Sequence, residues 1–360
     1  MKLQDIFNNV DALLIYNIEW PNADLNFFYF SRLLDSYGLS NSYYFKSKNK
    51  EAIVTNEIYT NLEKISSKKA NLGFLTFKED SEIDGILKKL LSKSKKVGIS
   101  YSSLPARQFE NLKEKFPKIE FVDIDLWLSE LRCVKDNFEI SLIREAAKIS
   151  SFAAEEITNY IREGMTENEL AGKLTEILMK NGARENAFPP IVAFGEDSAQ
   201  PHHVSGLRKL KKGDFVLMDF GARYRRYNAD MTRTYVFGKG SEKQKRIYSV
   251  VKQAQQIGIN VLKEGLTGND VELTVRNFIN TTEFKGQPSH GVGHSIGLAV
   301  NDHLVFELGS KFVLKRNMIV TMEPGIYLKG FGGVRIEDDV LIKKDGFEVL
   351  TSANKEYREI

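Results

Sequence analysis

Cysteine and histidine are scarce in this 360-residue chain: it has one of the first and five of the second. A single cysteine, Cys133, excludes an intramolecular disulfide, and with no second thiol it reads as a small structural group rather than a nucleophile. No stretch approaches the roughly 18 consecutive apolar residues that a membrane-spanning helix needs. An excess of one charge is also missing: 51 basic residues face 48 acidic ones, for a net +3. That balance gives no electrostatic reason to expect nucleic acid or an anionic membrane as partner, and the basic run KKLLSKSKK at 88–96 reads as a solvated face. The opening MKLQDIFNNVDALLIYNIEW lacks the basic start and unbroken apolar core of a signal peptide, so a cytoplasmic location is expected. The metalloprotease signature HExxH and the dinucleotide loop GxGxxG are absent too.

The chain is long enough for two domains. Over the first 127 residues short apolar runs (DALLIYN, EAIVT, NLGFLTF, KKVGIS, IEFVDID) alternate with the helical patterns SEIDGILKKLLSK and PARQFENLKEKF, which predicts a small α/β domain. From 128 to 360 the character changes, beginning with a long amphipathic stretch through NFEISLIREAAKISSFAAEEI. This second part repeats itself. EGMTENEL at 163–170 returns as EGLTGNDV at 264–271, and VLMDFG at 216–221 is answered by VTMEPG at 320–325. Thr166 with Glu169, and Ser241 with Gln244, have the spacing of capping boxes at helix starts. The pattern predicts an α+β domain of two similar halves about a pseudo-twofold axis, each contributing two acids: Asp219 and Asp230 from one, Glu323 and Glu337 from the other.

Asp219 and Glu323 fall in runs of buried-strand composition, where an ionised carboxylate without a partner costs several kcal/mol, on the order of what burying any lone charge costs. Arg233 and Arg335 can neutralise one or two acids but not four. The histidines are concentrated close by in sequence pattern: two in PHH at 201–203 and three in HGVGHSIGLAVNDH at 290–303. Four carboxylates and an imidazole suit two divalent cations of the Mn, Co, Zn or Fe type, bridged by a water or hydroxide whose pKa they lower. Such a centre is that of a hydrolase. The glycines around His290 and His294 argue against a helix there and allow the backbone to approach something closely.

These motifs together, MDFGARYRRYNADMTRT, HGVGHSIGL, MEPGIY and VRIED, resemble the pita-bread metallopeptidases, which include methionine aminopeptidases, Xaa-Pro aminopeptidases and Xaa-Pro dipeptidases (prolidases). SAQPHH and the short N-terminal α/β domain resemble the proline-specific branch. The resemblance implies a creatinase/aminopeptidase fold. It implies Asp219, Asp230, His294, Glu323 and Glu337 as ligands of two metal ions, with Asp230 and Glu337 bridging and Glu323 also shuttling protons. It further implies His202 as stabiliser of the oxyanion, His290 as a substrate or supporting residue, and Arg335 as a substrate-contacting residue that steadies the site. His203 has no family role and reads as structural or rim-lining.

Two positions depart from the pattern. Where the family has a second pocket histidine, this chain has Asn301, which hydrogen-bonds but cannot carry a proton through pH 7; His303 stands nearby as a substitute. Where prolidases place an arginine for a dipeptide's carboxylate, this chain has Val305, which tilts the expectation toward longer peptides. The expected activity is hydrolysis of Xaa-Pro bonds at peptide N-termini by a dinuclear centre, most naturally of Mn or Co. A homodimer accompanies it. The rival expectation is a non-catalytic or weakly active peptide-binding member of the same fold.

Overall fold

Apolar residues set the first strand, Ala12–Asn17 (β1), which is buried at all but one position. The structure is a computed structural model that describes residues 3–18, 22–36, 39–59, 72–287 and 290–360, without the side chains of residues 304 and 305. It divides into two compact units, Met1–Arg132 and Cys133–Ile360. Among the described residues no helix is long and apolar enough to cross a membrane.

The first unit opens with one helical turn, Leu3–Ile6 (α1), and then β1, Leu25–Ser31 (α2), Ser42–Ser47 (β2), Glu51–Asn56 (β3) and Gly73–Phe77 (β4). Ile83–Leu91 (α3), Lys96–Ile99 (β5), Ala106–Lys115 (α4) and Glu120–Asp123 (β6) follow. The six strands form one mixed sheet in the order β4-β3-β2-β1-β5-β6. Its parallel pairs are β1·β5, β5·β6 and β3·β4, and β1·β2 and β2·β3 are antiparallel. Both faces are covered: Phe27, Phe28 and Leu33 pack on one side and Leu87, Leu91 and Leu112 on the other. The alternation of strands and helices is as expected, with β2 and the aromatic helix α2 added to it. Helix Asp125–Cys133 (α5) contains residue 127 and runs to the division between the units.

In the second unit the helices are Asn137–Glu156 (α6), Glu167–Lys180 (α7), Glu242–Val261 (α8) and Gly268–Asn280 (α9). Each begins with a reciprocal capping box: Asp136 with Glu139, Thr166 with Glu169, Ser241 with Gln244, and Thr267 with Asp270. The repeat seen in the sequence is realised bond for bond. Gly164 N–H donates to Leu210 O as Gly265 N–H donates to Leu314 O. Glu167 N–H meets Arg208 O as Gly268 N–H meets Phe312 O. Each half has its own apolar core, around Leu170, Leu174, Met218 and Phe220 in the first and around Val251, Val271, Val320 and Met322 in the second.

The strands of the first half are Glu185–Asn186 (β7), Ile191–Phe194 (β8), Phe215–Phe220 (β9), Ala222–Tyr224 (β10), Tyr227–Asn228 (β11) and Met231–Val236 (β12). Those of the second are Gly293–Ser295 (β13), His303–Phe306 (β14), Ile319–Met322 (β15), Gly325–Leu328 (β16), Gly332–Arg335 (β17), Asp338–Lys343 (β18) and Gly346–Val349 (β19). β12 pairs antiparallel with β9, and β15 with β18, so each half presents an equivalent strand pair. The halves are tied where Glu337 N–H donates to Thr232 O and where Thr234 Oγ1 donates to Arg335 O. Arg233, fully buried, reinforces the seam by donating to Thr232 O and Glu337 O and pairing with Asp338 at 2.7 Å. It therefore neutralises an acid outside the expected ligand set.

Candidate metal centre

The five expected ligands come from strand ends in both halves. Asp219 is the penultimate residue of β9, facing Thr232 across the ladder. Asp230 immediately precedes β12, and Glu337 lies between β17 and β18. Glu323 sits one residue beyond β15, half-buried rather than enclosed in the strand as its sequence suggested. His294 is on β13 at a break in register: Gly293 pairs with Phe306 and His294 with Leu304, so Val305 is an extra residue in the facing strand. Such a bulge re-aims the neighbouring side chains.

A cavity of about 370 Å³ is lined by all five, and also by His202, His290, Asn301 and Arg335. The structure thus brings the nine candidates together. His294 Nε2 stands 3.4 Å from Glu323 Oε1 and 3.8 Å from Asp230 Oδ2. Asp230, His294 and Glu337 each offer a ligand atom, all within 4.8 Å of one another. One oxygen of Asp219 and one of Glu337 are held by the protein: Arg335 Nη2 lies 2.5 Å from Asp219 Oδ2, and Thr232 Oγ1 donates to Glu337 Oε2 at 2.7 Å. Asp219 Oδ1, Asp230 Oδ1 and Glu337 Oε1 are buried with no hydrogen-bond partner. Burial, and then the repulsion of the neighbouring acids, holds the Asp230 and Glu337 carboxyls well above their ordinary range. Asp219 is raised by burial too, against the opposing pull of Arg335. Unpartnered oxygens on acids that repel one another are what divalent cations would satisfy, so the donor set fits divalent metal binding.

The remaining histidines divide. His290 Nε2 is 2.8 Å from the Tyr327 hydroxyl and its Nδ1 2.7 Å from Gly291 O; burial lowers its pKa. Tyr327, raised by burial to about 12, accepts from Arg335 Nη1 at 2.9 Å. His203 is not a cavity residue: its ring meets buried Glu167. His303 packs at a tilt against Phe312, with ring centroids 4.8 Å apart, and is not among the cavity residues. The Val305 side chain lies outside the described residues. Arg335, expected to contact substrate, gives its donors to Asp219, Thr232, Tyr327 and Pro201 O. Thr232 and Tyr327 were not singled out in the sequence; Tyr327 belongs to MEPGIY, the one signal that pointed to it.

A duplicated scaffold that delivers carboxylates and one imidazole into a single cleft, with free oxygens turned inward, is that of a metal-dependent hydrolase. Residues 141–344 match the metallopeptidase family M24, and residues 3–134 match the creatinase/prolidase N-terminal domain. A Xaa-Pro dipeptidase of Pyrococcus furiosus is 36% identical over 292 residues, 81% of this chain and 82% of that protein. The fold is shared with an X-Pro aminopeptidase from Thermotoga maritima, at TM-score 0.90, 34% identity and 98% coverage of both chains. It is shared equally with a Xaa-Pro dipeptidase from Bacillus anthracis, at TM-score 0.90, 33% identity and coverage of 99% of this chain and 98% of that one. The chain belongs to metallopeptidase family M24, in the branch that carries the creatinase/prolidase N-terminal domain.

Proposed function

We propose that this chain hydrolyses the bond between an N-terminal residue and a following proline, in peptides of three or more residues, with two divalent ions. The observation that carries the reading is the convergence of three buried, unpartnered carboxylate oxygens in one cavity with His294, Glu323 and His202. Asp219, Asp230, His294, Glu323 and Glu337 would hold the ions, Mn or Co before Zn or Fe. When bound, these ions supply Lewis acidity and an activated water. Glu323, the most accessible of the acids, takes up and returns the proton at Oε1. His202, exposed at the cavity wall, donates to the oxygen of the scissile carbonyl as charge develops there.

The preference for longer peptides rests on charge. Arg335 is the one guanidinium or ammonium among the described cavity residues, and its donors are already taken. Glu307, also at the cavity, carries the sign that repels a dipeptide's carboxylate. The test is hydrolysis of a Xaa-Pro dipeptide against a Xaa-Pro-Xaa tripeptide under Mn and under Co, for the wild type and His202→Ala. Faster cleavage of the tripeptide, lost in His202→Ala, is expected. Protein that binds no metal and cleaves neither substrate overturns the reading.

A further inference from the structure

Adjacent histidines in PHH face different surroundings. His202 is exposed at the cavity, while His203 is turned inward, its side chain 12% exposed and its Nε2 2.8 Å from Glu167 Oε2. Glu167 is the first residue of α7 and is fully buried, so its charge needs partners. It has three. Phe194 N–H donates to Oε1 at 2.8 Å, Gly206 N–H donates to Oε2 at 2.9 Å, and His203 completes the set. Phe194 ends β8 and Gly206 follows His202 and His203 in the connection to β9, so one carboxylate holds the segment carrying His202 on both sides. Ser198, which accepts from Gly333 N–H at 2.8 Å, fastens the same loop to β17.

The internal repeat shows that Glu167 is not required to start the helix. At the matching place in EGLTGNDV stands Gly268, whose N–H makes the equivalent bond and whose helix is capped in the same way. The carboxylate is thus particular to the half that bears the His202 loop. Although Glu167, Asp197 and His203 lie close enough to hold a cation, the Glu167 oxygens already accept from two N–H groups and the imidazole.

We propose that the Glu167–His203 pair is a positioning device that fixes the direction of the His202 imidazole toward the scissile carbonyl. This rests on the role given to His202 above. A buried, charge-assisted hydrogen bond on the very next residue restricts the backbone of His202, and small displacements of a catalytic donor are costly.

The test uses the metal-loaded full chain and a Xaa-Pro-Xaa tripeptide. His203→Ala is expected to lower kcat about tenfold, in line with the cost of misplacing a reacting group, with KM and metal content unchanged. His203→Gln, whose amide can donate to Glu167, should return kcat to within about threefold of wild type. Glu167→Gln, which keeps the side chain's size, should reproduce the His203→Ala pattern. In the His202→Ala background, His203→Ala should have no further effect, because the two residues act as one unit. An unchanged kcat in both single variants, or a loss of equal size in the His202→Ala background, overturns the proposal while leaving the peptidase reading intact. If His202→Ala itself retains full kcat, the role assigned to His202 fails and the positioning proposal with it.

Discussion

Asp219 Oδ2 lies 2.5 Å from Arg335 Nη2, and the other oxygen of the same carboxylate is buried without a partner. One guanidinium therefore anchors one oxygen of the carboxylate and leaves its second oxygen to the cavity. Arg335 Nε also donates to Thr232 Oγ1, which in turn donates to Glu337 Oε2, so the same side chain orients acids from both halves.

Arg335→Lys tests this arrangement. Lysine offers a point charge where a planar fork is in use, so it cannot serve Asp219 and Thr232 at once. Metal affinity or kcat/KM is expected to fall on the order of 10–100-fold, the usual cost of removing a partner that orients a ligand. Metal content by elemental analysis and tripeptide kinetics check it; wild-type values for both would remove Arg335 from this role.

Removal of metal should expose the repulsion within the site. Burial raises the Asp219, Asp230, Glu337 and Asp339 carboxyls in the folded chain. In the unfolded chain they titrate near pH ~4. Above that pH the folded state holds more protons than the unfolded one, so metal-free stability falls as pH rises toward and through the folded values. His290, lowered by burial, acts in the opposite sense but is one group against four. The metal-free Tm is expected to drop between about pH 5 and 8, and the Tm gained on adding Mn to be larger at pH 8, because binding displaces protons. A metal-free Tm that is flat or rises across this window contradicts the assignment.

The duplication was legible because helix starts and strand-to-turn transitions leave local signatures: T-x-x-E in one half, T-x-x-D in the other, and an acid after each apolar run. The four acids expected at the centre followed from those landmarks, and His294 from the family resemblance. What the sequence could not show were contacts set by tertiary register. Arg233 and Arg335 read alike, yet strand alternation sends one to Asp338 at the seam and the other to Asp219 in the cavity. Glu323 read as a buried strand residue because MIVTM precedes it, but β15 ends at Met322 and leaves it partly accessible. The partner of His203 lies on a different element, with nothing in PHH to announce it. Helix α2 was missed because the aromatic run NFFYF has no clear period.

Asn301→His should restore a titrating group at an exposed cavity position that neither Asn301 nor His303 supplies. The expected result is a severalfold rise in kcat, about the low end of a general acid–base contribution, and a new limb in the pH–rate profile near pH ~6.5. Rates measured from pH 5 to about 9 decide it. If neither the rate nor the profile changes, position 301 takes no part in proton handling.

Gly293 explains the glycine before the ligand histidine. Its φ is +154°, and a Cβ there would fall on the Thr321 carbonyl oxygen and against the Phe306 ring, so β13 could not keep its place beside β15. That closeness lets Thr321 Oγ1 accept from His294 N–H at 3.0 Å, which holds the imidazole's backbone at the bulge. Gly293→Ala is expected to cost about 2–4 kcal/mol of stability through steric overlap and strain, and to lower metal content as His294 shifts. Gly309→Ala is the control: φ is +81° with nothing within 4 Å of the added carbon, so only backbone strain, about 1 kcal/mol, should appear and metal content should be unchanged. Denaturant unfolding and metal analysis on both variants separate the two effects. Equal losses of stability and metal at both positions would mean that crowding at Thr321 is not what places His294.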